Sequence, residues 1–279
     1  MSSEQAKDTL EYHKPTDQPS NNTAHMVIVT RIGSWLGAET TLNLLKHGIT
    51  VIGIGEREGR IGKLQTAIDH HEPWRDQFIP VIGQLSDPLV HDSVIQHIEA
   101  NKDQKKLAAL VINIGAYEGL HIGGKSIPPF EQWTELQRSL IEAMPLFHSI
   151  RHILRKYRCR VVNVASIDEI HNHLPRHVSL IAIKTAVNMM TAEVAVIEPR
   201  LTSLAVHPSF SALQMALEPP GEKKQKEQTQ EETDRTASVQ YTNSPDHLKP
   251  ASDLIVDLAI NADRSASGKF FMYSETSFP

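Results

Sequence analysis

The sequence predicts one α/β domain, a doubly wound parallel sheet of about seven strands with helices on both faces. Two observations predict it. Short runs rich in Val and Ile recur along the chain, each bounded by Gly, Pro or polar residues. Segments of helical length, with caps or apolar stripes, lie between them. A strand covered by helices on both faces reads as continuously apolar rather than alternating, and these runs do. A length of 279 residues, 40% of them apolar, supplies enough material for one such core.

The elements follow in order. Residues 26–30 (MVIVT) form a first strand, and 34–48 a helix ending at Gly48, a residue suited to a C-cap. Residues 50–54 (TVIGI) are a second strand, followed by a helix near 61–71. FIPVI (78–82) is a third strand, and 87–100 a helix with proline in its first turn. Residues 107–115 make a fourth strand, and a long helix then runs to Tyr157, with Pro145 inside it predicting a kink. Residues 159–166 are the fifth strand. The next helix carries a stripe of Ile183, Val187, Met190, Val194 and Ile197 at helical spacing. Residues 201–208 are the sixth strand, ASDLIVDLAINA a last helix and 268–273 a last strand.

Two stretches break this rhythm. Residues 1–24 are polar and read as a disordered tail ahead of a domain spanning 25–279. Residues 218–249 are charged, proline-bounded and poor in aliphatics, and read as a flexible insertion after the sixth strand, where a lid would sit. The formal net charge of −5 and the lack of a basic stripe exclude nucleic acid as the expected partner. A single cysteine, Cys159, rules out an intrachain disulfide framework. The first residues lack the apolar core of a secretory signal, and no apolar run approaches the roughly 20 residues that span a bilayer. No membrane partner is expected, and a cytoplasmic location is.

Four stretches suggest chemistry. Between the first strand and helix stand Thr30, Arg31, Ile32, Gly33, Ser34, Trp35, Leu36 and Gly37. After the second strand come Glu56 and Arg57, after the third GQLSD with Gln84, and after the fourth INIG with Asn113 and Gly115. Further on, Ser166 opens SIDEIHNHLPRH, and Lys184 sits early in the striped helix. In this order the stretches resemble the short-chain dehydrogenase/reductase family, over about residues 25–279. LAVHPSFSALQM and the ending SGKFFMYSETSFP are similar to its C-factor and sniffer-type carbonyl reductases. The resemblance implies a Rossmann-like fold, a nicotinamide dinucleotide cofactor, a small-molecule substrate and a homodimer or homotetramer paired through long helices.

The same resemblance shows what has drifted. The family's phosphate loop is TGxxxGxG, whose glycines permit a tight turn and close approach of backbone to pyrophosphate. The distance from Gly37 to the helix-ending Gly48 is the family's usual one, so Arg31 replaces the first glycine and Trp35 the second. A shifted register would pair Gly33 with Gly37 and lose the third glycine to Glu39. Trp35 either packs against neighbouring loops with the nucleotide lost, or Arg31 supplies a charge to a phosphate. Glu56 would suit a ribose diol and Arg57 a 2′-phosphate, so NADP(H) is one option and no cofactor another. Gln84 replaces an acid beside the adenine and can still accept a hydrogen bond. Thr30, Arg31, Gly33, Ser34, Gly37, Arg57, Gln84, Asn113 and Lys184 are the candidate cofactor residues.

The family's catalytic group is a serine, a tyrosine, a lysine and an asparagine. Ser166 and Lys184 match the serine and lysine, whereas Leu180 stands for the tyrosine and Leu140 for the asparagine. A general acid contributes about 10²–10⁴-fold, so the standard mechanism is absent unless another group substitutes. Asp168, His171 and His173 are the nearest substitutes, with Glu169 and His177 in the same stretch. Two histidines without a third placed ligand do not make a metal site, and no metal is expected. Three readings follow. One is an atypical oxidoreductase acting on a small carbonyl or imine, in specialised metabolism to judge from how far the motifs have drifted. The second is a non-redox cyclase, isomerase or lyase, and the third a catalytically inactive pseudoenzyme.

Overall fold

The structure, a computed structural model, describes residues 10–12, 24–113, 130–164, 178–207 and 248–272. The first half alternates β2 (His25–Thr30), α1 (Trp35–Lys46), β3 (Thr50–Gly55), α2 (Glu58–Asp69), a single turn α3 (Glu72–Arg75), β4 (Phe78–Ile82) and α4 (Pro88–Asn101). The second half continues with β5 (Lys106–Asn113), α5 (Phe130–Tyr157), β6 (Arg160–Val164), α6 (Val178–Ile197), β7 (Thr202–His207), α7 (Leu248–Asn261) and β8 (Phe270–Met272). All seven expected strands are present and pair in parallel.

An eighth strand corrects the reading of the N-terminal segment. Leu10–Tyr12, inside the stretch expected to be a disordered tail, forms β1 and pairs in parallel with β8. The sheet therefore has eight strands in the order β1-β8-β7-β6-β5-β2-β3-β4. The remainder of residues 1–23, apart from that strand, lies outside the described residues, as do 218–247 of the expected insertion; its last two residues, Leu248 and Lys249, instead begin α7.

Sequence alternation in β2 sorts the core into two layers. Met26 and Ile28 face one side and pack with residues of α4 and α5, including Val90, Val94, Leu146 and Ile150. Val27 and Val29 face the other and pack with α1, α2 and α7 through residues such as Leu44, Leu64 and Leu254. Each side chain points opposite to its neighbour along a strand, so a run without polar residues must be covered twice. Burying one such Val, Leu or Ile contributes roughly 1.5–3 kcal/mol.

The helix ends obey local chemistry. Ser34 caps α1, its Oγ accepting from the Gly37 amide at 3.1 Å, and Gly48 at φ 71° stops the helix in the left-handed conformation. Asp87 caps α4 by accepting from the Leu89 amide at 2.9 Å, with Pro88 at the first turn. α5 runs through Pro145 without a break in assignment. The carbonyl that the ring leaves unbonded belongs to Ile141, an exposed residue that water can reach.

The stripe expected on α6 is only partly a core stripe. Val187 is buried, and Met190 and Val194 are half-buried, but Ile197 is exposed. The helix ends there, one residue before the buried Glu198 turns inward. Glu198 takes Arg155 Nη2 at 2.9 Å and Arg151 Nε at 2.9 Å, a two-armed clamp between α5 and the end of α6. On the opposite face, Asn43 of α1 donates to Ser252 Oγ at 3.1 Å and to Asp253 Oδ1 at 2.8 Å, fixing α7 against α1.

Candidate functional site

Strand order reverses between β5 and β2: from β2 the chain proceeds to β3 and β4 on one side, and from β5 to β6 and β7 on the other. A crevice opens at such a switch point beyond the carboxyl ends of the strands, and ligands of open α/β sheets bind there. The two strand ends are tied together by the Asn113 amide donating to Thr30 Oγ1 at 2.8 Å, with both residues buried.

The turn from Thr30 to Gly37 forms the floor of the crevice. Arg31 has φ 53°, a left-handed backbone that glycine adopts at no steric cost. Its carbonyl accepts from the Ser34 amide at 3.0 Å and from Ser34 Oγ at 2.9 Å. A Cβ on Gly37 would stand 2.3 Å from that same oxygen, so glycine is demanded there by close approach of helix to turn. Ile32 is buried and donates its amide to the Ile54 carbonyl at 3.1 Å, locking the turn to β3. Trp35 is half-buried, and with Leu36 it packs against Ala251 at the start of α7.

Two arginines follow β3. Arg57 is exposed and stands at the N-cap of α2 without a capping side-chain bond. Arg60, one turn further on, passes Gly33 so closely that a Cβ there would lie 3.4 Å from its own Cβ. Sequence reasoning missed Arg60, although its spacing of three from Arg57 puts both on one helical face. Gln84 is exposed after β4 and follows Gly83, whose φ of 150° and proximity to Val90 Cγ2 admit no side chain. Asn113 Nδ2 is buried and has no hydrogen-bond partner among the described residues.

Arg31 makes a contact that no motif or spacing foretold. Its Nη2 lies 3.6 Å from Oε2 of Glu142 on α5, a carboxylate whose side chain is only 5% exposed.

Deeper in the same half of the sheet, Ile112, Phe147, Asn163 and Met190 line a cavity of about 20 Å³, room for roughly one water. Asn163 reaches over it to donate to Thr191 Oγ1 at 2.9 Å. His207 ends β7 in the core. Cys159 is buried beside β6, where loss of solvation pushes its thiol up to about 12, so it is no nucleophile at neutral pH.

The structure brings Thr30, Arg31, Gly33, Ser34, Gly37, Arg57, Gln84 and Asn113 to the carboxyl edge around the switch point. Ser166, Asp168, His171 and His173 lie outside the described residues. Lys184 and Leu180 are placed by backbone on the first turns of α6, and Leu140 on α5, but their side chains are not described. Among the described residues no cluster of three His, Cys, Asp or Glu could hold a metal, and no helix is long and apolar enough to cross a membrane.

The profile of the short chain dehydrogenase family matches residues 25–211. No curated protein sequence matches the chain. Among solved structures, a short chain dehydrogenase/reductase from Saccharomyces cerevisiae superposes with TM-score 0.65 at 20% identity, over 91% of this chain and 97% of that one. A short chain dehydrogenase from Mycobacterium smegmatis gives TM-score 0.65 at 19% identity, over 96% and 99%. L-sorbose reductase from Gluconobacter frateurii, solved with NADPH and L-sorbose, gives TM-score 0.63 at 15% identity, over 91% and 96%.

Proposed function

The chain belongs to the short chain dehydrogenase family, and from that premise we propose that it is an atypical member that binds NADP(H) and reduces a small carbonyl or imine. The observation that carries this reading is the state of the nucleotide turn. Arg31 and Trp35 have replaced two glycines, yet Gly37 keeps its close approach to the turn, and the Trp35 indole packs against Ala251 of α7. The residues around the crevice fit a phosphorylated dinucleotide. Arg57 and Arg60 would hold a 2′-phosphate beside Gly33, and Gln84 would accept from the adenine. Thr30 and Ser34 fix the turn, and the buried Asn113 Nδ2 is a donor with no acceptor among the described residues.

The cofactor, when bound, supplies hydride chemistry; the chain's own residues must place the substrate and move the proton. Ser166 is the polariser of the substrate oxygen in this reading, and Lys184 binds the ribose. Leu180 cannot donate a proton, so Asp168, His171 or His173 takes that role. A non-redox isomerase or cyclase on the same frame, or an inactive pseudoenzyme, is the alternative if no nucleotide binds. The exposed apolar residues Ile141, Met189 and Val196 on α5 and α6 support pairing of two copies through these helices. Light scattering of the purified protein reads that directly.

Calorimetric titration with NADPH and NADP⁺ tests the central claim. Binding tighter than about 100 μM, or about 5.5 kcal/mol, is expected. The test continues with NADPH consumption over a panel of small ketones and cyclic imines. Absence of binding up to millimolar nucleotide refutes the oxidoreductase reading.

A further inference from the structure

The sheet keeps the two helical layers apart, yet an ion pair between described residues joins them. Arg31 belongs to the turn leading into α1, which packs in the layer of α2 and α7. Glu142 belongs to α5, in the opposite layer with α4. With Nη2 and Oε2 at 3.6 Å, the pair links α5 to the turn that follows Thr30, whose Oγ1 accepts from Asn113 at the end of β5. The Arg31 side chain keeps 23% of its surface exposed.

This arrangement is costly by any local measure. A left-handed φ of 53° penalises a residue with a Cβ and costs glycine nothing. A carboxylate has also been withdrawn from water to meet the guanidinium. A turn that needed only its shape would be served by glycine. Strain kept at a ligand crevice is evidence for a role there. The turn also lacks something the guanidinium provides. Of the amides at the start of α1, that of Gly37 is already taken by Ser34 Oγ, leaving less backbone to face an anion.

We propose that Arg31 is the ligand of the dinucleotide's diphosphate in this chain, and that Glu142 is the positioning residue that lays its guanidinium across the crevice. The proposal rests on the nucleotide-binding reading above. It makes the site one held by a side-chain charge where relatives use bare backbone, and so one unusually sensitive to salt.

The test is titration of wild type, Arg31→Gly and Glu142→Gln with NADPH, at low and high ionic strength. Adenosine 2′-phosphate, which lacks the diphosphate, is titrated in parallel, and a melting curve is recorded for each protein. Arg31→Gly is expected to fold, because glycine suits the left-handed turn. It should bind NADPH at least about tenfold more weakly, the scale of a hydrogen bond to a charged group. Its salt dependence should be flatter than wild type, and its affinity for adenosine 2′-phosphate unchanged. Glu142→Gln should weaken NADPH severalfold even though it removes a negative charge. Unchanged or tighter NADPH binding by Arg31→Gly overturns the role of Arg31. Tighter binding by a folded Glu142→Gln, the result that simple charge removal gives, overturns positioning. Failure of wild type itself to bind NADPH is a separate outcome, and it overturns the nucleotide reading together with this one.

Discussion

Replacing Gly37 by alanine tests the geometry of the turn on which the candidate site is built. The added methyl would stand 2.3 Å from the Arg31 carbonyl oxygen and 2.9 Å from Ser34 Oγ. The hydroxyl can rotate away, but the carbonyl cannot, because two hydrogen bonds from Ser34, at 3.0 and 2.9 Å, hold it. Relief requires α1 to back away from the turn by about 1 Å, at an overpacking cost near the upper end of about 1–3 kcal/mol. The Ser34 cap loosens at the same time, costing about 1 kcal/mol more. Alanine returns about 1 kcal/mol of helix propensity, so the net loss is about 3 kcal/mol. For a domain of this size that lowers Tm by about 6–12 °C. Gly62 is the control: it is exposed inside α2, and a Cβ there meets nothing within 4 Å. Gly62→Ala should raise stability by about 1 kcal/mol. Urea titrations and thermal melts of both variants read the contrast. A Gly37→Ala protein as stable as wild type would mean that helix and turn are not in contact as described.

Other regions give further expectations. Glu198→Gln strips the charge from the clamp of Arg151 and Arg155 on a carboxylate with 2% side-chain exposure. The arginines are more than a third exposed and can turn to water, so the loss should be about 2–3 kcal/mol, below the cost for a fully buried pair. Denaturant midpoints measure it. Cys159, with its thiol pushed up to about 12, should stay silent to a thiol-reactive chromophore at pH 8 until denaturant exposes it, and fast labelling of native protein would contradict its burial. His25 is held below its ordinary 6.5 by partial burial first, then by Arg160 and Lys106. Its neutral form is favoured in the folded state, so the stability it contributes is present above the unfolded pKa and lost as pH falls through 6.5 towards the folded one. His25→Asn should flatten the dependence of the urea midpoint on pH below about 6.5, and an unchanged slope would refute the assignment.

The sheet was legible because each central strand is an uninterrupted apolar run covered on both faces; β2, β5 and β7 differ from expectation by at most a residue or two at either end. The stop at Gly48 was legible because it answers to backbone geometry, a left-handed turn, and Gly37 likewise answers to a close approach at the other end of the helix. β1 was not legible. Three residues, Leu10–Tyr12, carry no hydrophobic pattern, and they become a strand only because β8 presents an open edge. The exposure of Ile197 was hidden because periodicity places a residue on a face but does not say where the covering layer stops. At the candidate site, Arg57 and Gln84 could be found by counting from strand ends. The partnership of Arg31 with Glu142 could not, since the two are separated by three strands and four helices in sequence, and neither sits in a pattern. The stretch from Ser166 to His173 is proposed as catalytic on resemblance alone, as it lies outside the described residues.

The division of the interior into two layers has a thermodynamic consequence. Changes buried on opposite faces of the sheet share no neighbours, so their effects on stability should add within about 0.3–0.5 kcal/mol. Leu64 with Ile150 is such a pair, one in each layer. A double-mutant cycle through Arg31 and Glu142 is where that independence should fail, because the ion pair links the two layers over the sheet's edge. A ligand that draws on Arg31 would then be felt by α5 through this ion pair, without any movement of the sheet between them.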